Sequence, residues 1–203
     1  MIAIIDYGVG NLFSLAGSLK KLDLDAVVTS DPSEIKKCDR IILPGVGAFG
    51  DAAEKLFNSG LADVILDEVG KGKPLMGICL GMQLLFEKSF EYGEHKGLGL
   101  IPGSVVPLDD VLKGSLKVPH IGWNALDVKK PDNPLMKYTK QGDYMYYVHS
   151  FYADTEPDYV LATSEYGFEV TGAVSKGNVY GTQFHPEKSG NDGLKILKAF
   201  SEI

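Results

Sequence analysis

Short apolar runs alternate with helical patterns in the first half of the chain. The runs have the length and apolarity of buried parallel strands. They cover residues 2–6, 26–29, 40–43 and 75–79. In the segments between them, apolar residues recur at helical spacing. These segments are residues 11–22, a short stretch from Pro32, residues 51–57 and residues 61–70. This β-α repetition predicts a parallel sheet with helices on both faces.

After Gly97 the pattern changes to strand-like runs that are separated by turn residues. The runs are residues 105–108, 125–128, 144–152, 159–164, 169–175 and 179–184. Gly177 and Asn178 stand between the last two runs, and this pair is typical of a hairpin turn. A closing helix is predicted from about residue 192. We therefore expect hairpins in the C-terminal half of one α/β domain that spans residues 1–203.

The segment from residue 74 to residue 88 joins an apolar strand to a helical pattern through Cys79. Gly77 and Gly81 flank this cysteine and leave room for a tight turn, as in the G-x-S-x-G elbow of hydrolases. A side chain at such a junction points out of the carboxyl edge of the sheet, where unpaired N–H groups favour a thiolate. Cys79 is therefore a candidate nucleophile, and a buried structural cysteine is the alternative.

Composition narrows the class of protein further. With 44% hydrophobic residues, the 203-residue chain is long enough for one sizeable core. No apolar run reaches the length of a membrane span and no targeting signal is recognisable, so we expect a cytoplasmic protein. The net charge of -7, without a dense basic patch, argues against a nucleic-acid partner. Two cysteines make no disulfide framework, and Cys38 is expected to be a partly buried structural residue.

A cysteine nucleophile needs a base, and the base needs a group that orients it. His185 follows the apolar run 179–184 and is separated from Glu187 by a single proline. Residues two apart in an extended segment point to the same side, so the imidazole and the carboxylate can face one site. His185 is the candidate base and Glu187 the candidate orienting group. The alternatives are a solvated turn and a metal site, and the latter lacks further ligands nearby.

Acyl chemistry also needs N–H donors that stabilise an oxyanion. The amide of Leu80 directly follows the nucleophile, which is the position of one donor in other elbows. The segment P-G-V-G-A-F-G offers a second donor at Gly45, Val46 or Gly47, although taken alone this segment favours an ordinary glycine-rich strand-to-helix turn. A dinucleotide fingerprint that begins in residues 7–11 would need a third glycine where Phe13 stands, so no cofactor is predicted.

Two segments hold the only tryptophan and a concentration of tyrosines. They are V-P-H-I-G-W-N at residues 118–124 and Y-M-Y-Y-V-H-S-F-Y at residues 144–152. The pattern favours strands whose hydroxyl groups reach water. An aromatic wall that faces a ligand or a partner is the alternative.

Three motifs in this order, P-G-V-G-A-F-G, G-I-C-L-G-M-Q and Q-F-H-P-E-K-S, resemble the class I glutamine amidotransferases with a Cys-His-Glu triad. Three others, I-D-Y-G-V-G-N, P-H-I-G-W-N and Y-Y-V-H-S-F-Y, are similar to the branch of this family that provides the glutaminase subunits of imidazole glycerol phosphate synthases. The resemblance covers nearly the whole chain. It implies a flavodoxin-like three-layer sandwich with a central, mostly parallel sheet and additional antiparallel strands in the C-terminal half.

The resemblance also implies roles for individual residues. Cys79 would attack the side-chain amide of glutamine and form a glutamyl thioester, with His185 as base and Glu187 as its orienting group. The implied oxyanion contacts are Val46, Gly47 and Leu80. The implied substrate-binding residues are Gln83, His149, Ser150 and Phe151, although Phe151 stands where tyrosine is frequent. The implied partner-facing residues are Asn11, Trp123, Tyr146 and Lys188.

The partner implied by the resemblance is a barrel-shaped cyclase subunit, which forms a heterodimer with the glutaminase and uses its ammonia in histidine biosynthesis. Neither a metal nor a cofactor is implied. Glutaminases of pyridoxal phosphate synthesis or anthranilate synthase fit less well. The first resemble G-G-E-S at the oxyanion loop and the second G-P-G-x-P followed by G-H-Q, whereas this chain has P-G-V-G-A-F-G and G-M-Q. A catalytically silent flavodoxin-like binding module stays open. A cysteine peptidase is disfavoured, because nothing suggests an extended peptide groove.

Overall fold

An eight-stranded sheet forms the centre of the computed structural model, which describes residues 1–203. The strands are β1 (Ile2–Ile5), β2 (Ala26–Thr29), β3 (Arg40–Leu43), β4 (Leu75–Ile78), β5 (Phe86–Ser89), β6 (His95–Lys96), β7 (Ile101–Pro107), β8 (His120–Ala125), β9 (Asp127–Val128), β10 (Tyr144–His149), β11 (Phe151–Asp154), β12 (Val160–Glu165), β13 (Glu169–Lys176) and β14 (Val179–Thr182). The helices are α1 (Leu12–Lys21), α2 (Pro32–Lys37), α3 (Phe49–Asn58), α4 (Leu61–Gly70), α5 (Leu80–Gln83), α6 (Asp109–Leu112) and α7 (Gly190–Ser201). Short 3-10 turns lie at Pro134–Met136, Pro157–Tyr159 and Pro186–Lys188.

The central sheet runs in the order β2-β1-β3-β4-β14-β13-β12-β9. Its first five strands are parallel. When these five are numbered by their order along the chain, with β14 as the fifth, they lie across the sheet in the 2-1-3-4-5 order of flavodoxin-like folds. The last three strands continue the sheet in antiparallel pairs. The predicted α/β class and the antiparallel C-terminal extension are therefore confirmed.

Helices cover both faces of this sheet, because its strands are apolar on both sides. In β1, Ala3 and Ile5 pack in a core with residues of α2, α3 and α4. Ile2 and Ile4 point the other way and pack with residues of α1 and α7. A strand with two buried faces reads as a continuous apolar run, which is why the sequence pattern was sufficient to find it.

Two smaller sheets flank the central one. Strands β8 and β10 form an antiparallel pair, and β11-β7-β5-β6 form a four-stranded sheet. No helix of the chain is long and apolar enough to cross a bilayer.

Helix α5 is much shorter than predicted. The pattern indicated a helix up to residue 88, but α5 ends at Gln83 and β5 begins at Phe86. The backbone carbonyls of Leu84 and Leu85 accept hydrogen bonds from Leu98, Leu100 and Ile101. Pairing with a segment distant in sequence therefore replaces the next helical turn, while both leucines stay fully buried.

Two predicted strands are each divided in the structure. The run 144–152 breaks at Ser150 into β10, which pairs with β8, and β11, which pairs with β7. The run 125–128 breaks at the buried Leu126, between β8 and β9. Gly177 and Asn178 connect β13 and β14 with Lys176 opposite Val179, so the predicted hairpin is confirmed. The last helix begins at Gly190, two residues earlier than predicted.

Candidate active site

Cys79 lies at the abrupt junction between β4 and α5. Its φ of 54° is in the left-handed region, which is unusual for a residue other than glycine. The Cys79 amide donates to the carbonyl of Thr182 at 2.7 Å, and the Cys79 carbonyl accepts from the amide of Gln83 at 3.0 Å. Hydrogen bonds on both sides therefore hold the strained residue in place.

Glycines permit this junction because the backbone segments almost touch. A Cβ atom on Gly77 would lie 2.5 Å from the carbonyl oxygen of Gly81. A Cβ atom on Gly81 would overlap the carbonyl oxygen of Leu43 in the neighbouring strand. The predicted tight turn is present, and it requires glycine on both sides of the cysteine.

A cleft of about 280 Å³ opens at the carboxyl edge of the parallel strands, next to Cys79. Besides the cysteine, its walls include most of the residues singled out from the sequence. These are Val46, Gly47, Leu80, Gln83, His149, Ser150, Phe151 and His185. They come from the segments after β3, β4 and β14 and from the end of β10, because adjacent parallel strands end at the same edge.

His185 and Glu187 form the predicted contact. Nδ1 of His185 lies 2.8 Å from Oε1 of Glu187, and both side chains are at least 97% buried. The local structure differs from the prediction, because Pro186–Lys188 is a 3-10 turn rather than an extended segment. His185 Nε2, the nitrogen on the other side of the ring, is buried without a hydrogen-bond partner, while the ring lines the cleft.

The electrostatic environment favours the imidazolium form of His185. Burial by itself lowers the pKa of this ring, but the adjacent Cys79 and Glu187 outweigh burial and raise the pKa to about 10. Of the two groups that raise the pKa, Cys79 has the larger effect, although Nε2 has no hydrogen-bond partner at ordinary distance. His185 therefore carries a proton at neutral pH.

Two polar groups make hydrogen-bond contacts with the sulfur of Cys79. The carbonyl oxygen of Val148 lies 4.0 Å away, and the side-chain Nε2 of Gln183 lies 3.7 Å away. Gln183 is fully buried. Gln183 was missed in the sequence analysis. Residues two apart in an extended segment point to the same side, and this rule, which was applied to His185 and Glu187, also places Gln183 and His185 on one side.

The glycine-rich loop after β3 packs directly against the elbow. A Cβ atom on Gly45 would lie 2.7 Å from the amide nitrogen of Gly81 and 2.9 Å from Cβ of Leu80. Gly47 has a φ of 96°, whereas the side chain of Val46 is 42% exposed. The structure thus brings the three predicted oxyanion residues, Val46, Gly47 and Leu80, to one side of the cleft.

His149 lines the cleft, yet both of its ring nitrogens are already engaged. Nδ1 lies 2.8 Å from the carbonyl oxygen of Phe151, and Nε2 lies 3.1 Å from Nδ1 of His120. Burial lowers the pKa of His149 to about 3 and that of His120 to about 4, so both rings are neutral. The ring of His149 therefore has no free nitrogen for a ligand, and its contribution to the site is to hold the carbonyl of Phe151.

Three of the predicted partner-facing residues lie together. The ring centroids of Trp123 and Tyr146 are 6.0 Å apart, and Nζ of Lys188 lies 6.0 Å from the Tyr146 ring. Trp123 is 54% exposed, so these strands present an aromatic ring at the surface, and an aromatic wall that faces a partner stays a prediction. Asn11 lines a small cavity with His185 and Glu187, and its side chain accepts a hydrogen bond from the amide of Ser14 at the start of α1.

The backbone of Tyr146 is joined to that of His185. The His185 amide donates to the Tyr146 carbonyl at 2.9 Å. The Ser189 hydroxyl accepts from the Tyr146 amide at 2.9 Å and donates to the His185 carbonyl at 2.6 Å. Strand β10 thus holds the turn that carries the candidate base.

The cleft also contains Glu91, which sequence reasoning missed. One oxygen of this carboxylate accepts a hydrogen bond from the amide of Phe49 at 2.6 Å, at the start of α3. No sequence signal pointed to Glu91, because it follows β5 and reaches the cleft only through the pairing of β5 with β7. No three His, Cys, Asp or Glu side chains are arranged to hold a metal ion.

Comparisons with known proteins agree with these observations. The family model described as "Glutamine amidotransferase class-I" matches residues 3–202. The whole chain is 54% identical to the imidazole glycerol phosphate synthase subunit HisH of Caldanaerobacter subterraneus subsp. tengcongensis, of which it covers 98%. It is 50% identical to the subunit of the same name from Wolinella succinogenes, with complete coverage of both chains.

Two solved structures show that the fold is shared more widely. One is a glutamine amidotransferase with a TM-score of 0.77 and 19% identity, covering 100% of this chain and 98% of that one. The other is PurLQS from Thermotoga maritima, with a TM-score of 0.74 and 22% identity, covering 99% of this chain and 97% of that one.

Proposed function

The chain belongs to the class-I glutamine amidotransferase family, and we propose that it hydrolyses glutamine as the glutaminase subunit of an imidazole glycerol phosphate synthase in histidine biosynthesis. The observation that carries the proposal is that Cys79 and His185 line one cleft, while Glu187 contacts the other ring nitrogen of His185. The HisH relatives support the choice of branch. We assign the activity to one domain of residues 1–203 and, because both cysteines are free thiols, to the cytoplasm.

In the proposed reaction, the sulfur of Cys79 attacks the side-chain amide carbon of glutamine, and the carbonyl electron pair moves to the oxygen. The imidazolium of His185 gives its proton to the leaving nitrogen, so that the C–N bond breaks and ammonia departs. A glutamyl thioester remains. The neutral imidazole then takes a proton from water, which attacks the thioester carbon and releases glutamate and the thiolate.

Glu187 acts on this cycle through His185. Its carboxylate accepts the Nδ1–H bond, so the proton that is exchanged with substrate lies on Nε2. The negative charge also stabilises the imidazolium between the two half-reactions. The oxyanion would be held by the amide of Leu80 and by the loop at Val46 and Gly47. This loop packs against the elbow through Gly45.

Glutamine would bind with its charged end away from the sulfur. The cleft contains one acidic side chain, Glu91, and no lysine or arginine. We assign Glu91 to the α-ammonium group and the Ser150 hydroxyl to the α-carboxylate. The side-chain NH₂ group of Gln83 donates to the carbonyl oxygen of Phe151 and to Oε1 of Gln183, so only Oε1 of Gln83 is available to substrate.

The ammonia would pass to a cyclase subunit. We propose a heterodimer with a barrel-shaped cyclase that docks on Asn11, Trp123, Tyr146 and Lys188. The exposed ring of Trp123 next to the half-buried ring of Tyr146 supports this choice, because aromatic residues are enriched in protein interfaces.

The decisive experiment mixes the chain with a candidate barrel cyclase and follows glutamine-dependent formation of the imidazole product. The variant Cys79→Ala should lose this activity by about a thousandfold or more and keep the activity driven by added ammonia. Cys38→Ala is the matched control and should stay within about twofold of the wild type. Glutamine-dependent activity that persists in Cys79→Ala would contradict the mechanism.

A glutamine-analogue electrophile tests the chemistry without a known cyclase. Covalent labelling of Cys79 supports glutamine hydrolysis. No adduct with or without the cyclase would instead indicate a binding module that keeps the fold without the reaction.

A further inference from the structure

Gln183 is the fully buried side chain that approaches the reacting sulfur from the side of β14. Its Nε2 lies 3.7 Å from Sγ of Cys79, and none of its surface is exposed. The backbone N–H group of Gln183 donates to the carbonyl of Gly172 at 2.8 Å, which fixes the backbone at the end of the strand. The side chain is therefore held at the nucleophile from both ends.

The hydrogen-bond network decides which end of the Gln183 amide meets the sulfur. The carbonyl oxygen of Phe151 can only accept, so Gln83 must present its NH₂ group there, at 3.0 Å. The same NH₂ group donates to Oε1 of Gln183, also at 3.0 Å. Oxygen therefore faces Gln83, and the NH₂ group of Gln183 faces Cys79.

We propose that Gln183 is a catalytic residue that donates an N–H bond to the sulfur of Cys79 and thereby stabilises its thiolate. A donor aimed at sulfur binds the negatively charged form more strongly than the thiol, since bonds to charged acceptors are the stronger ones. The same bond favours departure of the thiolate when the thioester is hydrolysed. The effect on turnover rests on the proposed function, whereas the effect on the thiol does not.

The geometry distinguishes this role from simple packing. A buried glutamine that served only Gln83 would need its oxygen alone, and a hydrophobic neighbour could fill the remaining space. Instead the second half of the amide points at the one atom that must carry charge. Gln83 donates to both Phe151 and Gln183, and Gln183 in turn donates to Cys79, so these hydrogen bonds link the substrate pocket to the nucleophile.

The test is the pH dependence of Cys79 alkylation by iodoacetamide, read from the mass of the Cys79 peptide. Gln183→Leu keeps a similar size and removes the donor. We expect the pH at half-maximal alkylation to rise by about one unit, which is a tenfold change in the thiolate equilibrium. Gln141→Leu, which changes a glutamine outside the cleft, should give the wild-type curve.

Gln183→Glu keeps the shape of the side chain and decides the matter if the leucine variant does not fold. It places a carboxylate beside the sulfur and should move the midpoint upward by at least as much. A midpoint within about 0.3 units of the wild type in a folded variant would overturn the proposal. Because alkylation needs neither glutamine nor a cyclase, a wild-type chain that alkylates normally but releases no ammonia would refute the proposed function alone.

Discussion

Cys38 and Cys79 are both buried, with 2% and 6% of their surfaces exposed, but their surroundings differ. Cys38 follows the last turn of α2, where its amide donates to the carbonyls of Glu34 and Ile35. Its φ of -77° is ordinary, and burial raises the pKa of its thiol. These are the properties of a small apolar residue in a core.

Cys79 instead precedes the first turn of α5 and has a strained backbone. A side-chain N–H group points at its sulfur, a protonated ring lies nearby, and a cleft opens beside it. Burial is thus common to both cysteines. The position in the turn and the charged and polar neighbours are what distinguish Cys79 as the candidate nucleophile.

The largest effect is expected when Glu187, the charged partner of the candidate base His185, is replaced. Glu187→Gln should lower kcat by about a hundredfold to ten-thousandfold, because an amide cannot stabilise the imidazolium and the pKa of His185 falls. Ammonia release in the presence of the cyclase measures it. Glu202→Gln, at an exposed carboxylate bound to Lys137, should leave kcat unchanged. A loss below about tenfold for Glu187→Gln would show that Cys79 does not depend on this pair.

Direct labelling compares the two thiols in one molecule. In the native chain, iodoacetamide should modify Cys79 at least about a hundredfold faster than Cys38, because only Cys79 reaches a cleft and has groups that favour its thiolate. Peptide mass spectrometry gives both rates. In denaturant the rates should converge, and Cys38→Ala should leave the labelling of Cys79 unchanged. Equal native rates would show that the surroundings of the two thiols do not make Cys79 the more reactive one.

The smallest effect concerns the packing that supports the elbow. Gly45→Ala should reduce the free energy of unfolding by about 1–3 kcal/mol, because the new Cβ atom would be too close to Leu80 and Gly81. Gly17→Ala meets no neighbouring atom within 4 Å inside α1 and should add about 0.5–1 kcal/mol. Chemical denaturation measures both. Equal changes in the free energy of unfolding for the two substitutions would mean that the backbone around the elbow shifts to accept the new Cβ atom.

The sequence was sufficient for the parallel part of the fold, because each strand there is apolar on both faces and each helix has an apolar stripe. It was insufficient for the end of α5, since Leu84 and Leu85 suit a helix as well as the tertiary pairing that they adopt. Composition and periodicity describe neighbours in sequence. They do not describe hydrogen bonds to a segment that lies fourteen residues away, such as the bond from Leu98 to Leu84.

The candidate site shows the same division. The contact between His185 and Glu187 followed from their spacing, although the turn between them is tighter than predicted. Gln183 was accessible to the same argument. Glu91 was not, because only the pairing of β5 with β7 brings it to the cleft. His149 lines the cleft, but its contact with His120 depends on the register of β8 and β10, which the sequence pattern does not give.

The hydrogen bonds between Tyr146 and His185 have an evolutionary consequence. The side chain of Tyr146 belongs to the exposed aromatic surface, whereas its amide and carbonyl support the candidate base. Selection therefore acts on this position twice and independently. The side chain is free to drift together with whatever surface it meets, but every replacement has to retain a backbone N–H group, which excludes proline alone among the twenty residues.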